Sequence, residues 1–136
     1  MVLNGALAGL VSITAEPLAP AVWQTIIIGG VGGAIVVFTV PLLDKLKIDD
    51  VVGAIPVHLF AGIWGTLIVP FSNDAANYGV QLIGVIAYGV FTLVAAGIVW
   101  FILKAAMGIR ASEEEEMRGL DMSETGVEGY PEFTRA

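Results

Sequence analysis

The stretch VVGAIPVHLFAGIWGTLIVP, residues 51–70, contains no Asp, Glu, Lys or Arg. It has about the length of roughly 20 residues that a helix needs to cross a bilayer. Its one ionisable side chain is that of His58, the only histidine in the chain. Ionisable groups at membrane depth are costly and commonly mark a conduction or proton path. The stretch therefore predicts a membrane helix that carries a functional imidazole.

Three further apolar runs lie outside this stretch, at about residues 1–15, 22–43 and 79–107. The 57% hydrophobic composition, collected in uninterrupted runs, is typical of membrane helices. The first run is short and lacks the Lys/Arg start of a secretory signal, so we expect part of a membrane helix whose beginning is missing. We predict an all-α polytopic membrane helix bundle over residues 1–110, with three full transmembrane helices and one truncated helix.

Residues 111–136 form an acidic tail that carries most of the net charge of -7. Ser112 with Glu115 is a capping-box pattern, which predicts a short helix ending near Gly119. Asp121 begins a second capping pattern before Gly126. The alternative is a solvated run of acids without defined structure.

Several classes of function are disfavoured by what the sequence lacks. It has no cysteine and no basic stripe, so we expect neither thiol chemistry nor a nucleic-acid partner. No nucleophile–base–orienter set can be assembled, so we do not expect an enzyme or a cofactor. A metal is not expected either, because no second His, Cys or carboxylate shares the face of His58.

The distribution of Lys and Arg predicts the orientation in the membrane. Lys45 and Lys47 follow the second run, and Lys104 and Arg110 close the fourth, whereas the loop 71–78 has no basic residue. The positive-inside rule then places the C-terminal tail in the cytoplasm. Glycines spaced four apart, at 5 and 9 and at 29 and 33, predict helices in close backbone contact.

The residues around His58 indicate how it is held. His58 follows Asp50 by eight residues, about 12 Å of helix, which places it near the middle of a bilayer core of about 30 Å. Asp50 is placed to cap this helix, and α-helical spacing puts Ala54, His58 and Gly62 on one face. Pro56 removes one backbone hydrogen bond and predicts a bend or a freed carbonyl. The alternative role for His58 is a hydrogen bond to another helix.

Four blocks, in order and at matching spacing, resemble the C-terminal third of ammonium transporters, the Amt/Mep/Rh family. They are NGALAGLV at residues 4–11, Asp49-Asp50 with His58 beyond them, GIR at 108–110, and GLD at 119–121 after the Glu-rich stretch. The resemblance covers essentially the whole chain. It implies a fold of eleven membrane helices built from inverted repeats and assembled as a homotrimer in the cell (inner) membrane. The present chain would run from the eighth helix into the cytoplasmic tail.

The resemblance also implies a mechanism for ammonium and ammonia as substrates. His58 corresponds to the second of the paired pore histidines of the family, and Asp50 to the acid that begins the same helix. Ala54 and Gly62 are candidate pore-lining positions. Gly53 departs from the Asp that many relatives carry five residues before this histidine.

In the tail, the resemblance implies a regulatory region that contributes to docking of PII-type signalling proteins. The candidate residues are Glu113, Glu115, Gly119, Asp121, Gly126 and Tyr130. Thr125 stands where relatives often have His before the glycine. Two alternatives to transport are a small helical membrane subunit that serves assembly or interaction through its tail, and an inert truncated product.

Overall fold

Helices account for all regular secondary structure between residues 1 and 129, the part of the chain that the computed structural model describes. The all-α prediction is confirmed for these residues. The helices are α1 (Val2–Ile13), α2 (Val22–Lys45), a π-helical turn (Ile55–Phe60), α3 (Ala61–Ile68), a 3-10 turn (Val69–Phe71), α4 (Tyr78–Met107), α5 (Glu113–Arg118) and α6 (Leu120–Thr125).

Two of these helices, α2 and α4, are long and apolar enough to cross a membrane. The continuous helical run Ile55–Phe71 is shorter than the span 51–70 predicted from hydropathy, because its beginning is delayed. Gly53, just before it, has a φ of +75°, a left-handed conformation that ends regular structure there. Val51 and Val52 therefore lie in a turn and not in the helix.

The chain divides into two compact units, and the first, Met1–Phe91, contains α1, α2, the π-helical turn and α3. Helices α1 and α2 are antiparallel, with Gly9 opposite Gly29 and Gly5 opposite Gly33. A Cβ placed on Gly9 would lie 3.2 Å from the carbonyl oxygen of Gly29, and one on Gly33 would lie 3.2 Å from that of Gly5. The predicted close contact through these glycines is confirmed, and it brings the two backbones together with no side chain between them.

Helix α3 packs on the α1–α2 pair through small residues. Ala61 and Gly65 are both buried, and a Cβ on Gly65 would lie 2.8 Å from the Cα of Ser12. The buried Ser12 hydroxyl donates to the carbonyl of Ala8 at 2.7 Å and to that of Ala61 at 3.4 Å. The apolar core formed there consists of Ala8, Val36, Val57 and Ala61. This core fixes the helix that carries His58 against two others.

The second unit begins at Thr92 and includes α5 and α6. The predicted capping box is present: Ser112 accepts a hydrogen bond from the Glu115 amide at 3.3 Å, and Glu115 accepts one from the Ser112 amide at 2.8 Å. The second predicted cap is wrong. Asp121 lies inside α6, whose N-cap is Gly119, and its carboxylate instead accepts a hydrogen bond from the Gly129 amide at 2.6 Å.

Candidate functional site

His58 lies in the π-helical turn Ile55–Phe60. At the end of this turn the amide of Ala61 points at two carbonyls, those of Pro56 and His58. Turns with five-residue hydrogen bonds are rare, occur mostly as single turns, and are frequent at functional sites. The imidazole is thus presented by a distorted turn and not by a regular helix.

Pro56 stands in the first turn of the helical run, where a backbone N–H has no partner within the helix, so proline costs no helical hydrogen bond at this position. The carbonyl of Val52 lies in the turn before the run and outside its hydrogen bonds. The Nδ2 of Asn4, on α1, donates a hydrogen bond to this carbonyl oxygen at 3.0 Å. The turn that leads into the His58 helix is therefore tied to a neighbouring helix.

Asp50 holds the start of the same turn. One of its carboxylate oxygens accepts the amide of Ala54 at 2.8 Å, and the other accepts the amide of Ile55 at 2.7 Å. The first amides of a helix have no partner within the helix, so a carboxylate placed there satisfies them. Asp50 has a structural task at the beginning of the run that carries His58.

The imidazole of His58 is exposed, and no residue between 1 and 129 forms a hydrogen bond with it. Ala54 is also exposed, whereas Gly62 is half-buried. A Cβ placed on Gly62 would lie 3.8 Å from Cγ1 of Val11. The sequence placed all three on one face by α-helical spacing. Ala54 and His58 share their exposure in this structure, and the common face of the three residues stays a prediction.

Small residues beside His58 serve packing in this structure. Ala61 and Gly65, three and seven residues after His58, are buried against α1. Between them in sequence, the Nε1 of Trp64 donates to the carbonyl of Ile28 on α2 at 3.0 Å. The helix is therefore fastened on one side and leaves His58 on the other.

Asn4 is the residue that the sequence analysis missed at this site. The freed carbonyl that Pro56 led us to expect is not the one that Asn4 pairs, because the carbonyl of Val52 stands in a turn before the helical run. The sequence could not indicate which donor, because Asn4 lies on another helix, 48 residues from Val52.

Within the described residues, no three His, Cys, Asp or Glu side chains are grouped as metal ligands would be.

The candidate tail residues lie in and around α5 and α6. Glu113 and Glu115 are in the first turn of α5, and Gly119 links the two helices with a φ of +106°. Gly126 ends α6 in the left-handed conformation. The predicted candidate Tyr130 lies outside the described residues.

Hydrogen bonds to backbone amides make two tail carboxylates more acidic. The Ser112 amide, and then the Ser112 hydroxyl, lower the pKa of Glu115 below its ordinary value. The amides of Gly129 and then Met122 lower the pKa of Asp121. Arg110 forms an exposed ion pair with Glu116 at 3.1 Å. Local hydrogen bonds and an ion pair therefore order the beginning of the tail, despite the mutual repulsion of its carboxylates.

Comparison with known proteins bears directly on this site. The sequence matches the Ammonium Transporter Family over residues 1–130. The chain belongs to this family. It is 38% identical over 153 aligned positions to ammonium transporter Amt2 of Archaeoglobus fulgidus, a match that covers 98% of this chain and 33% of the relative.

Two other relatives also match nearly the whole of this chain and a minor part of their own length. Ammonium transporter Amt1 of Haloferax mediterranei is 41% identical, with 96% of this chain and 26% of the relative covered. Ammonium transporter Amt2 of Methanocaldococcus jannaschii is 37% identical, with 96% and 33% covered. The family resemblance of the sequence is confirmed, and the chain spans between a quarter and a third of the length of these curated relatives.

Proposed function

We propose that this chain forms part of the conduction path of an ammonium transporter, with His58 as a pore residue. The observation that carries the proposal is an exposed imidazole to which no residue between 1 and 129 forms a hydrogen bond, on a helix that is packed and hydrogen-bonded to α1 and α2, in a chain of this family. A purely structural histidine would be turned toward α1 or α2, where it could find a partner.

Imidazole chemistry suits this role. A neutral imidazole donates from one ring nitrogen and accepts at the other, and it titrates near neutral pH. Ammonium recruited at the outer mouth would lose its proton, and ammonia would pass His58 by hydrogen bonding, the proton following separately. Apolar walls such as Ala54 would disfavour a bare potassium ion, which cannot shed its hydration cheaply.

Asp50, in this proposal, acts on the site through the backbone. Its carboxylate pairs the first two amides of the helical run and so fixes the turn in which His58 lies. The chain supplies one wall of the path, so we propose that a second pore histidine comes from another part of the transporter. We also propose that the tail lies in the cytoplasm, because the basic residues cluster at that end of the predicted spans. The resemblance to the family supports the further proposal of a homotrimer in the inner cell membrane.

The tail is proposed as a regulatory surface for a PII-type signalling protein. The proposal is supported by the defined structure of the tail. Helix α5 has a complete capping box, and a hydrogen bond from the Gly129 amide to Asp121 holds the chain after α6 against that helix. The candidate contacts are those of Glu113, Glu115, Gly119, Asp121, Gly126 and Tyr130.

The first experiment measures the size of the native membrane protein, with an antibody raised against residues 112–136 and membranes from the source cell. A band near three times the 14.2 kDa of this chain supports the transporter. A native band at 14.2 kDa supports an assembly subunit or a truncated product instead.

The second experiment tests the imidazole in the native protein. His58→Ala should lower ammonium uptake into proteoliposomes while leaving assembly intact, since His58 makes no hydrogen bond to the bundle. Tyr88→Phe, which changes an exposed side chain of α4, is the matched control and should transport normally. Normal uptake and ion selectivity in His58→Ala would exclude the pore role.

A further inference from the structure

We propose that Asn4 is a positioning residue for His58, acting through the carbonyl of Val52. This inference rests on the proposed function of His58 in conduction. It assigns a role to a side chain of α1 that does not reach the imidazole. Three features of the structure carry this inference: the carbonyl of Val52, the space beside Gly53 and the cap formed by Asp50.

The first step is the demand for a donor. The carbonyl of Val52 lies in the turn before the helical run, which begins at Ile55, so the backbone hydrogen bonds of the run do not pair it. Asn4 Nδ2 meets the demand at 3.0 Å. A buried or lipid-facing carbonyl without a donor costs about 1–3 kcal/mol, so the turn would rearrange if this donor were removed.

The second step is the room that Gly53 leaves. A Cβ built on Gly53 would collide with Nδ2 of Asn4, and Gly53 has a φ of +75°, which side-chain-bearing residues rarely adopt. The backbone at this position therefore suits the approach of the Asn4 amide. The absence of a side chain at 53, where the resemblance implies an Asp in many relatives, is what allows the contact in this protein.

The third step connects the contact to His58. Asp50 pairs the amides of Ala54 and Ile55, and Asn4 pairs the carbonyl of Val52. Together they satisfy the backbone groups on both sides of Gly53, immediately before the π-helical turn. His58 lies two residues after Pro56 in that turn, so a change in its first residues rotates the imidazole relative to α1 and α2.

The chain contains a control contact that is remote from the turn of His58. Its donor residue, Gln24, also accepts the Ala21 amide through Oε1 at 2.8 Å, so the control substitution removes the capping box of α2 as well. Gln24 on α2 donates through Nε2 to the carbonyl of Phe71 at 3.0 Å, at the far end of the same helical run. Both contacts join a side-chain amide to a backbone carbonyl of the run Ile55–Phe71 or its leading turn. They differ in that only the Asn4 contact adjoins the turn of His58.

The test measures ammonium uptake by the native protein in proteoliposomes for Asn4→Leu, Gln24→Leu and His58→Ala. Asn4→Leu keeps the side-chain branching at Cγ and removes the donor. We expect its maximal rate to fall about tenfold, which corresponds to about 1.4 kcal/mol, with a smaller change in the ammonium concentration for half-maximal rate. Gln24→Leu should keep a rate close to that of the unmodified protein.

A second substitution separates loss of the donor from a change in side-chain size. Asn4→Ala removes the same Nδ2 donor without adding volume, and its rate should fall as that of Asn4→Leu does. It also keeps the test available if Asn4→Leu fails to assemble, because alanine is small and favours a helix.

Three outcomes would overturn the inference: normal transport by Asn4→Leu, equal losses in Asn4→Leu and Gln24→Leu, or normal transport by Asn4→Ala. Each is distinct from failure of the proposed function, which would appear as normal transport by His58→Ala. Impaired His58→Ala with normal Asn4→Leu would thus remove the positioning role alone.

Discussion

Helices α2 and α4 have windows of the same mean hydropathy, yet they differ in how they use their glycines. In α2, Gly29, Gly32 and Gly33 lie against the backbone or side chains of α1. In α4, a Cβ on Gly84, Gly89 or Gly97 would meet nothing within 4 Å, and no residue of the helix is buried. Hydropathy selects the segments that enter a membrane, and contacts between small residues determine which of them pack together.

The difference has a physical basis in the solvent. Lipid chains are about as apolar as Leu or Val, so little is gained by moving such side chains from lipid into a helix interface. Close backbone approach and interhelical hydrogen bonds provide the attraction instead. Helix α2 has both, through its glycines and through the carbonyl of Ile28, which accepts a hydrogen bond from Trp64. The open surface of α4 is available to lipid or to other helices.

The largest expected effect tests this comparison at Gly65 of α3, a glycine that lies against α1 as those of α2 do. Gly65→Ala places a Cβ 2.8 Å from the Cα of Ser12 and 2.9 Å from its carbonyl carbon, which are backbone atoms that cannot move without shifting α1. We expect destabilisation by about 1–3 kcal/mol, measured as loss of thermal stability of the purified protein in detergent. Gly89→Ala in α4 is the control and should be neutral or slightly stabilising.

Equal loss of stability in Gly65→Ala and Gly89→Ala would contradict the comparison. It would mean that glycine in either helix is under the same constraint, and that the close contact between α1 and α3 has no special energetic weight.

A smaller effect is expected at a tryptophan. Trp64→Phe keeps an aromatic ring but removes the hydrogen bond to the carbonyl of Ile28, so we expect a loss of about 1 kcal/mol in the same thermal measurement. Trp100 in α4 is 58% exposed, and Trp100→Phe should change the stability less. If the two variants lose equal stability, the hydrogen bond between α2 and α3 does not distinguish the helices.

The smallest effect is local to the tail and depends on pH. Because the pKa of Glu115 is lowered in the folded protein, its cap on α5 is fully present above the ordinary value of 4.5 and is lost as the pH falls through the folded pKa. Carbon chemical shifts of residues 112–118, followed by NMR through an acid titration, should show α5 fraying in that range. Glu115→Gln keeps an acceptor without ionisation and should remove this pH dependence.

The helical class and the glycine contacts were predictable because both depend on local composition and spacing. Runs of apolar residues and glycines four apart are visible in the sequence. In the structure the apolar runs form helices, and the glycines of α1 lie against those of α2. The capping box at Ser112 was also predictable, since its two partners are three residues apart. The second cap was predicted wrongly because Asp121 has an alternative donor in the amide of Gly129.

The details of the His58 site were less accessible to sequence reasoning. The position of Pro56 predicted a disturbance, and Asp50 was recognised as a potential cap. The contact that precedes the π-helical turn joins the carbonyl of Val52 to Asn4, and that donor is on a different helix. The π-helical turn itself has no period that the apolar composition of residues 51–70 makes visible.

The glycine contact between α1 and α2 also has a consequence for the order of events during synthesis. Only the connection 14–21 separates these helices, so their interface closes a short loop and involves neighbours in the chain. The pair can form as soon as α2 has left the ribosome, before α3 exists. Helix α3 then arrives at a finished surface that already presents Asn4, Ser12 and the carbonyl of Ile28 as docking points. On this route His58 is the last part of the group to be placed.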